Sequence, residues 1–242
     1  AIIAVLAALL MPALGRAKAR SLSTGCLNHL RQLGLAWTMY SDDNQGVFPH
    51  NQVTVDNGLY WNLPGSWVLG NAQRPRLPRD LTEGSLFRYV QNTGVYRCPA
   101  DRSTYPAFGS RQPKPRTYSL NVPFNSFGAA SVSSASRFRA IRKATDIGRP
   151  GAANILTFID NNELAIDSGE FSLSLTGTPN VFNWEHKPTD RHDGGANLAY
   201  ADGHAEYRRW LWPKTWVRFN EPATNALDQA DMDWLLDRWP LK

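Results

Sequence analysis

Residues 22–40 read Leu-Ser-Thr-Gly-Cys-Leu-Asn-His-Leu-Arg-Gln-Leu-Gly-Leu-Ala-Trp-Thr-Met-Tyr, and residues 1–14 ahead of them read Ala-Ile-Ile-Ala-Val-Leu-Ala-Ala-Leu-Leu-Met-Pro-Ala-Leu. In residues 22–40, apolar or small side chains recur at Leu22, Cys26, Leu30, Leu33, Trp37 and Tyr40. Steps of four, four, three, four and three trace one face of an α-helix. Residues 1–14 carry no charged or polar side chain. As a helix they are roughly 21 Å long, short of the ~20 apolar residues that span a bilayer. A secretory signal, a buried core helix and the end of a longer apolar helix are the competing readings. The run has no Ala-x-Ala site leading into a loop, against a signal, and the period that continues after Gly15 favours one long helix. Pro12 is expected to kink it. Gly15, Gly25 and Gly34 lower its propensity without ending the pattern. The stop is Ser41-Asp42-Asp43-Asn44-Gln45-Gly46, followed by Pro49. The chain is therefore divided into a helical stem, 1–41, and a head, 42–242.

The 242 residues are 42% hydrophobic and 19% charged, enough apolar material for a sizeable core and too much for disorder. Two Cys exclude a disulfide scaffold, a CxxCH haem site and a four-Cys zinc site. The net charge of +5 suggests a nucleic-acid partner until it is located. Arg16, Lys18, Arg20 and Arg31 give the stem +4 with no acid, whereas residues 221–242 carry −3. The small excess left on the body is not a nucleic-acid footprint. There is no G-x-S-x-G, H-E-x-x-H, P-loop or G-x-G-x-x-G, so no nucleophile or phosphate motif points to an enzyme.

The head is rich in turns. Tyr60-Trp61, Trp67–Leu69, Tyr118–Asn121 and Ala153–Asp160 are expected as strands, and Leu81–Val90 as one short amphipathic helix. Ser131–Ser136 is expected as a solvated tip able to accept O-linked sugar. Asn197–Ala201 and His204–Arg208 flank Asp202-Gly203, which predicts a two-residue hairpin with both central residues at positive φ. Asp231–Arg238 is expected to be a short helix, with the Trp residues from Trp210 to Trp239 in the core.

Three features carry a resemblance. Ala1–Leu14 is followed by Arg16-Ala17-Lys18, then by Cys26–Ala36 with Tyr40 and Asp42-Asp43-Asn44 behind it; Cys98-Pro99 follows later; and His192 is separated by nine residues from Asp202-Gly203. Together they resemble type IV pilin-like proteins and pseudopilins, with the His-(nine residues)-Asp-Gly signature of the prepilin-type processing-associated domain. The resemblance implies an α+β fold, a long N-terminal helix packed on an antiparallel β-sheet, and further apolar residues upstream of Ala1. It implies a structural subunit of an extracellular type IV pilus-like or pseudopilus filament, or of a type II secretion-like system. Such a subunit sits in the inner membrane before assembly, is handled by an assembly machinery, and then polymerises with itself. The assembly surface would be Ile2, Ile3, Val5, Leu6, Leu9, Leu10, Met11 and Leu14. Arg16, Lys18 and Arg20 would face carboxylates such as Asp231, Asp233 and Asp237 of a neighbour. A membrane-anchored binding module and a DNA-binding appendage subunit are the alternatives.

In an exported chain Cys26 and Cys98 can pair, closing a ~70-residue loop for about 4 kcal/mol; otherwise they are two reduced buried thiols. Asp160, Glu163, His192, Asp202 and His204 are candidate metal ligands. Asp160, Asn161, Glu163 and Asp202 would suit Ca²⁺, and the two His a transition metal. The resemblance adds weight to a structural Ca²⁺, although no cofactor is required. The alternative is a strand end, a turn Asp and His side chains bonded to backbone.

Overall fold

Helix α1 (Ile2–Asp43) runs through Pro12 as one element in a computed structural model of the chain. The structure describes residues 2–107, 109–128, 138–175 and 181–240, with side chains given from Leu10 onward apart from 127 and 128. The expected Ser131–Ser136 tip lies outside these residues, as do the side chains of Ile2, Ile3, Val5, Leu6 and Leu9. From Leu10 to Ser21 the helix is exposed on every side, with Leu10, Met11 and Leu14 at 66%, 69% and 72%. From Cys26 onward one face is buried, through Leu30, Leu33 and Trp37. These are the positions of the 3.6-residue period. The amphipathic half of the stem is thus built into the core of the head.

Beyond α1 come β1 (Asn51–Asp56), β2 (Leu59–Asn62), helices α2 (Arg79–Thr82) and α3 (Phe87–Val90), β3 (Thr104–Ala107) and β4 (Ser110–Pro113). Then follow β5 (Tyr118–Asn121), β6 (Ser126–Gly128), β7 (Leu156–Asp160), β8 (Glu170–Phe171), β9 (Ser174–Leu175) and β10 (Phe182–Asn183). The chain ends with β11 (Gly195–Tyr200), β12 (Ala205–Arg209) and helix α4 (Ala226–Leu236). The class is mixed α+β. The central sheet has the order β12-β11-β7-β5-β8, antiparallel except for the parallel β5–β8 edge.

Helix α1 crosses one face of this sheet, against β11, β12 and β7. Tyr118, Leu120, Phe158 and Ala199 meet Cys26, Leu30, Leu33 and Trp37 there. The other face is covered by Met232, Leu235 and Leu236 of α4 with Trp184, Trp210 and Trp239. With both faces covered, β7 and β11 are buried at every residue instead of alternating. Strand β11 divides its side chains cleanly: Ala196, Leu198 and Tyr200 point to the α4 side. Asn197 and Ala199 take the α1 side, where Asn197 Nδ2 donates to Ser23 O at 3.1 Å. The β7–β11 register slips by one residue between Leu198/Ile159 and Tyr200/Leu156, a bulge in β7.

Helix α4 is anchored by charge as well as by burial. Its cap, Asn225, accepts from the backbone N–H of Leu227 and Asp228. Lys214, fully buried, donates to Asp228 Oδ1 at 2.8 Å and Asp231 Oδ2 at 2.7 Å. Asp231 also accepts from the backbone N–H groups of Leu211 and Trp212. This corrects the expectation that Asp231 meets the basic stem of a neighbour: its charge is spent inside the head. Asp233 and Asp237 remain exposed.

Several local expectations are also corrected. Leu81–Val90 is two short helices, because α2 ends before Gly84. A Cβ at Gly84 would lie 2.4 Å from Trp67 O, so the chain passes too close to another backbone for a side chain or a continuous helix. Trp67–Leu69 is buried but forms no strand. The hairpin loop has three residues, Ala201-Asp202-Gly203, with Tyr200 paired to His204. Gly203 N–H donates to Tyr200 O at 2.9 Å, and only Gly203 of the central pair has positive φ, +89°. This is the turn-plus-bulge hairpin, in which Asp need not enter the left-handed region.

Candidate functional site

Four side chains from four segments converge in the core where α1 meets the sheet. Cys26 comes from α1, Cys98 follows a 3₁₀ turn (Thr93–Tyr96), Asp160 ends β7, and His192 lies in the turn before β11. All four are buried, and their donor atoms lie within 4.8 Å of one another. His192 Nε2 is 3.2 Å from both Cys98 Sγ and Asp160 Oδ2. The Cys26 thiol donates to Asp160 Oδ2 at 3.5 Å. The two cysteines are separate thiols in this arrangement.

A surrounding layer fixes these groups. Arg191 donates to Asp160 Oδ1 at 2.9 Å and, with its other nitrogen, to Glu163 Oε2 at 2.8 Å. Tyr118 Oη donates to Cys26 Sγ at 3.2 Å. The Cys98 backbone N–H donates to Thr117 Oγ1 at 2.8 Å. The position of His192 follows from the sharp turn after it, where Asp193 and Gly194 both have positive φ.

The electrostatics are those of a coupled acid–base group. Burial raises the Cys98 thiol, but its bonds to Cys26 and His192 outweigh this and bring it down to about 7. Burial disfavours the His192 imidazolium, yet the Asp160 and Cys98 bonds raise it to about 9. Burial pushes the Cys26 thiol well up. Two sulfurs, an imidazole nitrogen and a carboxylate oxygen can act as a thiolate–imidazolium pair, as partners for sulfur–sulfur bonding, or as ligands to a soft or borderline metal.

The sequence-derived ligand set is therefore divided. Asp160 and His192 belong to the cluster. Glu163 is one step removed, paired to Arg191 and partly exposed. Asp202 and His204 sit at the exposed hairpin and bond to each other at 2.6 Å. The all-oxygen set for Ca²⁺ does not assemble: Asp160 is buried among Cys26, Cys98 and His192, Asn161 Oδ1 accepts from the Asn162 N–H, Glu163 is paired to Arg191, and Asp202 is at the exposed hairpin. Both cysteines were singled out in the sequence only as a pair, and nothing local places that pair beside Asp160 and His192.

A second buried polar group had no sequence signal. Ser172 Oγ donates to Glu185 Oε2 at 2.7 Å and lies 2.9 Å from His186 Nδ1, whose Nε2 is 3.2 Å from Asp167 Oδ1. The order Ser–His–Asp is that of a nucleophilic triad. The serine proton, however, is given to Glu185, and all four residues are buried. Glu170 lies beside them. Burial, with help from Glu185 and Asp167, pushes its carboxyl up to about 8.

Comparison with protein-family models, curated proteins and solved structures returned no match.

Proposed function

We propose that the chain is a structural subunit of a pilus-like or pseudopilus filament at the cell surface, assembling with copies of itself through the first half of α1. One observation carries this reading: the helix has two different halves. From Cys26 onward one face is buried in the head, while Leu10, Met11 and Leu14 project into solvent, covered by none of the described residues. Apolar side chains held in this way gain most by packing on copies of themselves. A heterologous contact of this kind, repeated without closing, generates a helical polymer. Among the described residues no helix is long and apolar enough to cross a membrane. Residence in the inner membrane before assembly, and handling by an assembly machinery, come from the resemblance alone. So does the pilin-like character of the head. Exposed Arg16, Lys18 and Arg20 would lie at the base of the packed bundle, with Asp233 and Asp237 as the acidic partners that remain on the surface.

The test is electron microscopy and sedimentation of the purified full chain. Ordered filaments with helices bundled at the axis are expected. Replacing Leu10, Met11 and Leu14 together by Ser should abolish them while leaving the melting temperature of the head unchanged. Dispersed monomers from the unsubstituted chain would overturn the reading, and a stable monomer that binds a ligand would favour the membrane-anchored module instead.

A further inference from the structure

We propose that Cys26, Cys98, Asp160 and His192 form a closed, four-ligand Zn²⁺ site that fastens helix α1 to the sheet. The argument begins with distances. Zn²⁺ binds sulfur at about 2.3 Å and nitrogen or oxygen at about 2.0–2.2 Å, so tetrahedral geometry sets neighbouring donors about 3.3–3.8 Å apart. The observed edges are 3.2 Å for Cys98 Sγ to His192 Nε2, 3.2 Å for His192 Nε2 to Asp160 Oδ2, and 3.5 Å for Cys26 Sγ to Asp160 Oδ2. The remaining pairs close within 4.8 Å. A disulfide needs only the two sulfurs and gives no reason for an imidazole and a carboxylate to point at them.

Donor chemistry selects the metal. Two thiolates with one imidazole and one carboxylate in a tetrahedron suit Zn²⁺, whereas Ca²⁺ and Mg²⁺ require oxygen ligands. Charge agrees. Two thiolates and a carboxylate carry three negative charges, and a divalent cation together with the Arg191 guanidinium on Asp160 offsets them. Ligation requires both sulfurs as thiolates and His192 as the neutral imidazole, so binding releases whatever protons these three groups hold.

The outer layer is of the kind that orients ligands: Arg191 holds the second oxygen of Asp160, and Tyr118 donates to Cys26 Sγ. With four protein ligands and no exposed member, the site is structural rather than catalytic. It also gives a role to the His192 of the spaced His–Asp-Gly pattern. The histidine is a ligand and the Asp-Gly builds the turn at the other end of β11, so the two ends of the pattern do different work.

The experiment uses the full chain, purified with a phosphine reductant, loaded with zinc chloride and desalted. Native mass spectrometry and elemental analysis should give one zinc per chain. Cobalt(II) loading should give the thiolate charge-transfer band and the intense visible bands of a tetrahedral ion. A chelator should lower the melting temperature of the zinc-loaded chain. Cys98→Ser and His192→Gln, checked for folding by circular dichroism, should each weaken zinc retention by about tenfold or more. Asp202→Asn and His204→Ala should retain one zinc. A folded, reduced chain that holds no zinc or cobalt overturns the proposal, and the unsubstituted chain gives that answer even if the variants misfold. Zinc retained undiminished by both folded ligand variants, or lost on substitution of His204, equally overturns it.

Discussion

Two buried charged regions of the head solve the same problem differently. Around Lys214, one ammonium stands between two carboxylates, and backbone N–H groups occupy the remaining oxygens. Burial works against the Asp228 carboxylate. The Lys214 bond, followed by that from the Thr224 N–H, nevertheless holds its pKa below the ordinary value. Around His186, three acids (Asp167, Glu170 and Glu185) share one imidazole. There the surplus acid gives way, and Glu170 keeps its proton up to about pH 8. A buried carboxylate stays charged only where a cation and donors have been built for it, and otherwise takes a proton.

The largest expected effect comes from turning the first region into the second. Lys214→Met leaves Asp228 and Asp231 buried without their cation and should destabilise the head by about 3–5 kcal/mol in denaturant titration. It should also change the acid limb. In the parent chain, the contribution of Asp228 is present above its unfolded value and is lost as pH falls through its depressed folded value. In the variant that loss should vanish, because the native state no longer holds the charged form. A parent-like acid limb in Lys214→Met would mean that the lysine is not what keeps Asp228 ionised.

The second expected effect runs the other way. Folded Glu170 has a pKa of about 8 against an ordinary value of 4.5. Between these two values the folded chain holds a proton that the unfolded chain has released, so stability falls as pH rises through the window. Glu170→Gln should flatten that decline, with little gain at pH 5 and a clear gain at pH 8 by thermal melts. An equal gain at both pH values would point to packing instead of ionisation.

The smallest effect tests the surface. Asp202→Asn keeps the turn acceptor for the His204 N–H and loses only an exposed pair, so stability should move by less than about 0.5 kcal/mol. A large loss would show that the hairpin tip, which passes Gly34 of α1, is more than a turn.

Legibility in the sequence followed the range of the interaction. Helix α1 was readable because its period is local and sustained, and the hairpin because Asp-Gly is a local signal. The loop length was misjudged by one residue, because Asp202 and Gly203 serve equally a two-residue turn and a turn-plus-bulge, and the choice depends on strand twist. The break at Gly84 was hidden because the obstacle, the carbonyl of Trp67, lies far away in sequence. In the candidate site, Asp160 and His192 stand out within a five-residue ligand set that also holds Glu163, Asp202 and His204, and the two cysteines as a separate pair. Their union depends on which strand neighbours which, and no spacing encodes that. Asp202 and His204 do not join them because β11 lies between, placing His192 at one end of the strand and the hairpin at the other. The acids around His186 left no trace, since Asp167, Glu170 and Glu185 look like ordinary surface residues until the chain has folded over them.

The way α1 enters the head has a mechanical consequence. Its packed stretch, from Leu22 to Ser41, is roughly 30 Å long and follows β11 and its hairpin, with Ser23 at Asn197 and Gly34 at Gly203. Tension drawn along the stem therefore loads this contact in shear, across several turns at once, instead of peeling it turn by turn. The first points to take the pull are Ser23, held by Asn197, then Cys26, and then His29, bonded to Arg97 O at 2.8 Å. Each anchors the helix to a different segment of the head, so a force arriving at one end is distributed before it reaches any single strand.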